Sequence, residues 1–206
     1  NHSVFDEQRT FVAGEAACVF DCAGMRFGIN ICADIWEPGT ATQAHDASAQ
    51  ALLVLNASPF HINKLGERLD VARQRVAETG LPLVYVNMVG GQDELVFDGA
   101  SFALDADGAV CVQLPAFVAG LHFVTLDNGR PTGDMHPQPE LEAGVYQALV
   151  LGVHDYVEKN GFPSVIVGSS GGIDSALTLA IAVDAIGAER VQAVMMPSQF
   201  TADMSQ

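Results

Sequence analysis

The stretch Ser164-Val165-Ile166-Val167-Gly168-Ser169-Ser170-Gly171-Gly172-Ile173-Asp174-Ser175 decides how the later part of the chain folds. Val165 to Val167 is apolar and β-branched, which predicts a buried parallel strand. It breaks into a Gly/Ser turn, and the run from Ala176 to Val183 then predicts a helix. Strand, small-residue loop and helix N-terminus together make an anion cradle. Backbone N–H groups and the positive end of the helix dipole point at whatever the loop holds. Glycines let that backbone close on a phosphate without a Cβ in the way.

Three local readings compete. The P-loop pattern G-x-x-x-x-G-K-[ST] fails, because no lysine follows the glycines. The nucleophile elbow G-x-S-x-G fits Gly168 to Gly172, with Ser170 as nucleophile. It needs an acid and then a histidine downstream, yet the last histidine is His154. A tight strand-to-helix turn without a ligand is the third. The string Ser170-Gly171-Gly172-Ile173-Asp174-Ser175 resembles the S-G-G-x-D-S loop of the ATP pyrophosphatases. That resemblance implies an ATP site of Gly168, Ser170, Gly171, Gly172, Ile173, Asp174 and Ser175, with Asp174 toward Mg²⁺. The continuation Met195-Met196-Pro197-Ser198-Gln199-Phe200-Thr201 is similar, more narrowly, to the NAD synthetases.

With 206 residues, 49% of them apolar, the chain can bury a sizeable core in one large domain or two small ones. Its net charge of −16 argues against nucleic acid and anionic membranes. A phosphate ligand must then be held by local dipoles and a metal. Four cysteines (Cys18, Cys22, Cys32 and Cys111) suggest a reducing, cytoplasmic setting. Cys18 and Cys22 lack a CxxC partner pair, which argues against zinc. No apolar run approaches the roughly 18 residues of a membrane span, and no signal peptide is visible.

Taken in order, the chain alternates strands and helices, an α/β pattern. Arg26 to Ile31 predicts a strand that delivers Cys32 to a turn over Ala33 to Gly39. A helix is expected over Thr40 to Gln50, a strand over Ala51 to Asn56 and a strand over Leu83 to Asn87. Lys64 to Thr79 reads as an amphipathic helix with Arg68, Arg73, Arg75 and Glu78 outward, stopped by Gly80. Asp98 to Leu114 predicts a hairpin turning at Asp107-Gly108. Residues 127–139 are polar, with three prolines and two glycines, and read as a linker between segments 1–126 and 140–206. A helix follows from Glu140 to Lys159, with Leu141, Val145, Leu149, Val153 and Tyr156 on one face. A further strand is expected over Val191 to Met196.

Cys32, at a strand end, is a candidate nucleophile. A thiol with a pKa of about 8.5 needs a base or cation nearby to react at neutral pH. Cys18, Cys22 and Cys111 read as packing residues. Residues Val4 to Arg9 with Phe11 and Gly14, then Gly28-Ile29-Asn30-Ile31-Cys32-Ala33-Asp34-Ile35-Trp36, resemble the nitrilase-type glutaminase domain. Asn56-Ala57-Ser58-Pro59-Phe60-His61 and the run Tyr85 to Gly99 extend the likeness to the glutamine-dependent NAD synthetases.

The resemblance implies the C-terminal part of a nitrilase-like α-β-β-α sandwich, followed by the start of a Rossmann-like ATP-pyrophosphatase domain. It implies that Cys32 attacks the side-chain amide of glutamine and that Glu7 supports the catalytic centre. Ser58 and Lys64 would hold the α-amino and carboxylate groups of glutamine, although Lys64 fits a solvated helix-start lysine equally well. Ala33 departs from the acidic residue expected there in many relatives. The family's lysine and general-base glutamate would precede Asn1, so the chain reads as an internal fragment without glutaminase activity of its own. Substrates implied are glutamine, ATP and deamido-NAD, with Mg²⁺, in a cytoplasmic homo-oligomer. Two alternatives stay open: another amidotransferase on the same ATP loop, such as a GMP-synthetase-like enzyme, and a catalytically silent binding module.

Overall fold

A computed structural model describes residues 9–12 and 14–195. The chain divides into two compact units: Asn1–Met88 with Asp98–Gln138, and Val89–Phe97 with Pro139–Gln206.

The first unit is built on a six-stranded sheet in the order β1-β2-β3-β4-β7-β8. Its strands are β1 (Cys18–Cys22), β2 (Met25–Ile31), β3 (Ala51–Asn56), β4 (Leu83–Asn87), β7 (Phe102–Leu104) and β8 (Val110–Gln113). β2, β3 and β4 run parallel, and antiparallel β1 and β7–β8 flank them. Residues in register share a face because side chains alternate along each strand. One row is Gly28–Leu52–Leu83–Leu104 and the next is Asn30–Val54–Tyr85–Phe102. This face is covered by α1 (Thr40–Asp46) and α2 (Lys64–Thr79), and Ala41, Ala44, Ala72 and Val76 complete the core with Ile35. The Tyr85 and Phe102 rings stack in that core with centroids 4.7 Å apart.

The opposite face carries a second apolar row, Ile31–Leu55–Val86, each residue about half exposed. Near it Phe20 stacks on Phe27 at 5.5 Å. Helices on one face and an apolar surface on the other match one helix–sheet half of the expected sandwich.

The amphipathic reading of α2 needs a correction. Arg68 and Arg75 were expected outward, yet they are 1% and 2% exposed. The helical period holds, but on this helix charge does not mean solvent. Both guanidiniums are buried against acceptors, as a buried charge must be. Arg75 donates to the Glu37 carbonyl at 3.0 Å and pairs with Glu78. α2 stops as expected at Gly80, whose φ of 68° is left-handed and whose N–H returns to the Val76 carbonyl. The helix expected over Thr40 to Gln50 ends at Asp46, because Ala47 already caps it.

The polar stretch 127–139 is not structureless. Thr125–Asp127 (β9) pairs antiparallel with Arg130–Thr132 (β10) through a turn at Asn128-Gly129.

The second unit holds α3 (Leu141–Lys159), β11 (Val165–Ser169), α4 (Ile173–Ile186) and β12 (Val191–Met195), with β11 and β12 parallel. Val165 to Val167 is therefore parallel as expected but not buried, since Ile166 is 70% exposed. On α3 the buried positions are Gly144, Ala148 and Val157, while Leu141, Leu149 and Tyr156 of the expected apolar face are about half exposed. The hairpin β5 (Val89–Gln92) and β6 (Leu95–Asp98) packs on α3: Gly91 donates its N–H to Asp155 Oδ2 at 2.7 Å. Among the described residues no helix is long and apolar enough to cross a membrane.

Candidate active site

The parallel strands β2, β3 and β4 end at one edge of the sheet, the edge where α/β proteins assemble sites. Cys32 follows β2, Ser58 follows β3, and Asn87 closes β4. Cys32 takes a positive φ of 46°, a conformation that costs a residue with a Cβ and marks a constrained turn. A 3-10 turn, Cys32–Ile35, starts there. Asp34 braces it: its carboxylate accepts the Ile31 N–H at 2.8 Å, and its carbonyl accepts the Thr40 hydroxyl. Trp36 N–H closes the turn on the Ala33 carbonyl at 3.0 Å.

Lys64 opens α2, and its ammonium lies 4.2 Å from the centroid of the Trp36 ring. Its side chain is only 18% exposed, so it is not a solvated helix-start lysine. It donates to Glu67 at 2.9 Å and thereby holds the Glu67 carboxyl below its usual range. Cation and indole attract each other here, which ties Lys64 to the turn carrying Cys32.

Ser58 is 4% exposed and sits in a buried polar network. Its hydroxyl accepts from Arg68 Nε at 3.1 Å, its carbonyl from Arg68 Nη2 at 2.7 Å, and its N–H donates to Asn87 Oδ1 at 2.9 Å. Arg68 forks onto both carboxylate oxygens of Asp98 at 2.8 and 2.9 Å. Tyr85 is buried too, and burial pushes its hydroxyl pKa up to about 12 against the lowering effect of the nearby Arg68 charge.

The second candidate site is the loop between β11 and α4. Gly168 lies on β11, Gly171 has a φ of 78°, and Gly172 is the N-cap of α4. The helix begins at Ile173, three residues before the expected Ala176. Ser170 and Ser175 lock the loop: Ser170 N–H and hydroxyl approach Ser175 Oγ at 3.3 and 3.2 Å, and Ser175 donates to the Gly172 carbonyl at 2.9 Å. The helical ladder opens with Ala176 N–H on the Gly172 carbonyl. The N–H groups of Ile173, Asp174 and Ser175 therefore precede it and face the loop. Asp174 stands exposed in that first turn.

The structure thus gathers Cys32, Ser58 and Lys64 at one sheet edge and the six loop residues Gly168 and Ser170, Gly171, Gly172, Asp174 and Ser175 with Ile173 at one strand-to-helix turn. Glu7 and the run after Met195 lie outside the described residues. The sequence reading missed Arg68, Asp98, Asn87 and Asp34. Asp98 was inside the quoted run Tyr85 to Gly99, and only its pairing with a buried arginine was invisible.

Comparison with known proteins shows what the chain is similar to. Residues 1–131 match the carbon–nitrogen hydrolase family and residues 145–206 match NAD synthase. The glutamine-dependent NAD(+) synthetase of Acinetobacter baylyi is 46% identical over the whole chain, which spans 38% of that relative. That of Rhodobacter capsulatus is also 46% identical, over 98% of this chain and 38% of its own. The structure of the Acinetobacter baumannii glutamine-dependent NAD+ synthetase in complex with ADP superimposes with a TM-score of 0.94 at 47% identity, covering all of this chain and 40% of that one. The chain belongs to the carbon–nitrogen hydrolase family, and its residues 145–206 match the NAD synthase model.

Proposed function

We propose that this chain is part of a glutamine-dependent NAD synthetase, an ATP-dependent ligase. One observation carries the reading: a single chain holds both the Cys32 turn and the Gly168–Ser175 loop, and is similar along its whole length to enzymes of that name. In the glutaminase half, the Cys32 thiolate attacks the side-chain amide carbon of glutamine. The C–N bond breaks, ammonia leaves with a proton, and water hydrolyses the thioester to glutamate and free thiol. Glu7 supports that centre, while Ser58 and Lys64 hold the α-amino acid end. The approach of the partly shielded Lys64 ammonium to the Trp36 ring supports its role as the cation for the substrate carboxylate.

In the synthetase half, the deamido-NAD carboxylate attacks the α-phosphorus of ATP and pyrophosphate leaves. Ammonia then displaces AMP to form the amide. The Gly168, Ser170, Gly171, Gly172, Ile173, Asp174 and Ser175 loop takes the phosphates on its backbone N–H groups. Asp174 fits Mg²⁺ as a single carboxylate beside phosphate oxygens and waters, the usual protein share of such a site. When bound, the ion would offset the charge of the leaving pyrophosphate. The enzyme works in the cytoplasm, where Cys32 stays reduced, and as a homo-oligomer.

The test uses the full-length enzyme with ATP, deamido-NAD and glutamine labelled with ¹⁵N in its side-chain amide. Label should appear in the amide of NAD. Cys32→Ala should abolish that transfer and keep synthesis from free ammonium. Persistence of label transfer in Cys32→Ala would refute the assignment.

A further inference from the structure

We infer that Arg68 and Asp98 are positioning residues for glutamine: as a buried pair they fix Ser58, and with it the end of the site that takes the α-amino acid group. The inference rests on the function proposed above. Residues 57–61, after β3, have no regular secondary structure. Ser58 is held instead by side chains from two other elements. Arg68 of α2 supplies Nε to its hydroxyl and Nη2 to its carbonyl, and Nη2 also reaches the Pro59 carbonyl at 3.3 Å. Asn87 of β4 accepts the Ser58 N–H and returns a donor to the Ser58 carbonyl at 3.3 Å and to the Gly99 carbonyl at 3.2 Å.

Arg68 can do this only in one orientation, and Asp98 sets it. The guanidinium is planar, and the two-pronged contact with Asp98 fixes both the position and the tilt of that plane. Asp98 is itself 4% exposed, so the pair is shielded from water and from salt. Stability alone does not explain such a pair, because apolar residues of similar volume often replace a buried ion pair with no loss. The directed bonds to Ser58 are what apolar replacements cannot supply. One lone pair of the Ser58 hydroxyl is taken by Arg68 Nε, which turns the hydroxyl hydrogen away from the guanidinium. Ser58 is thereby set as a donor, suited to a carboxylate oxygen. Lys64, one helical turn before Arg68 on α2, adds the matching charge.

Three variants of the full-length enzyme test this: Arg68→Lys, Asp98→Asn, and the double replacement Arg68→Met with Asp98→Leu. Each should raise the glutamine KM by about tenfold or more, the size expected when a substrate contact is misplaced. Synthesis from free ammonium and the rate of Cys32 alkylation by iodoacetamide should stay at wild-type values. The double variant should unfold at the wild-type denaturant midpoint and still show the raised KM. A folded double variant with a wild-type glutamine KM overturns the inference, and so does a fall in kcat at unchanged KM. A double variant that cannot fold also overturns it, by showing that the pair serves stability. If the wild-type enzyme hydrolyses no glutamine, it is the proposed function that fails.

Discussion

The replacement Asp155→Ala should free the hairpin Val89–Phe97 from α3 without unfolding the helix. Asp155 is 15% exposed, and its Oδ2 accepts the Gly91 N–H at 2.7 Å and the Lys159 ammonium at 3.0 Å. Lys159 in turn donates to the Gly91 carbonyl at 2.5 Å, so both polar groups of Gly91 end on α3. The approach is close because small residues line it. A Cβ on Gly91 would meet the Asp155 Cβ at 3.1 Å and the Gly152 Cα at 3.3 Å, and a Cβ on Gly152 would meet Val96 at 3.1 Å. A hydrogen bond to a charged group contributes about 1.5–3 kcal/mol, and the partly exposed Lys159 pair adds roughly 0.3–0.5 kcal/mol. Loss of about 2–3 kcal/mol from local opening should speed amide exchange at Gly91 by about 30- to 150-fold. Hydrogen-exchange mass spectrometry on peptides from 89–97, with α3 peptides as control, reads this directly. Unchanged protection at Gly91 beside an unchanged α3 would refute the reasoning. The same clamp should respond to acid. Burial raises the Asp155 pKa, but the Gly91 N–H, His154 and Lys159 together lower it further, and the net direction is down. A depressed folded pKa means stabilisation that is complete above the ordinary carboxylate value of about 3.9 and lost as pH falls through the folded pKa. Hairpin protection should therefore be flat from neutral pH to about 5 and fall below about 4.

Gly28→Ala should destabilise the first unit by about 1–3 kcal/mol in denaturant titration, the usual cost of overpacking. Its Cβ would meet the Ala44 Cβ at 2.7 Å, and neither α1 nor β2 can yield without moving backbone. Asp34→Ala removes the acceptor of the Ile31 N–H and should lower glutamine-dependent synthesis by about tenfold with ammonium-dependent synthesis retained; equal loss of both would refute its role as a brace of the Cys32 turn. Asp174→Asn should abolish pyrophosphate release and leave glutamine hydrolysis measurable, and surviving pyrophosphate release would remove Asp174 from the phosphate site.

Elements set by short-range rules were legible in the sequence. The strand before Cys32, the Gly80 stop of α2, the turn at Asp107-Gly108 and the loop before α4 all follow from alternation, left-handed glycines and small residues. What was not legible depends on partners distant in the chain. Arg68 looks like an outward arginine until Asp98, thirty residues later, is placed beside it. The hairpin Val89–Phe97 has the composition of a loop. Its Gly90-Gly91 pair gains meaning only when Gly152 and Asp155 of α3 lie against it. The turn at Asn128-Gly129 carries the signal of a tight hairpin, and reading the proline-rich surroundings as a linker hid it.

The same distinction separates the two candidate sites. The Gly168–Ser175 loop is contiguous: its contacts run between Ser170, Gly172 and Ser175, so adjacent residues state nearly all of its local structure. The cysteine site is assembled from the ends of three strands. The Cys32 turn is braced by Asp34, Lys64 lies against Trp36, and Ser58 is held by Arg68, Asn87 and Asp98. From the residues alone only Cys32, a cysteine at a strand end, stands out; Ser58 and Lys64 are named by the family resemblance. Sequence cannot show which buried polar residues hold them, since an aspartate that forks onto an arginine looks like any other aspartate until the sheet brings the two together. The side chains that hold these candidates therefore emerge only in three dimensions.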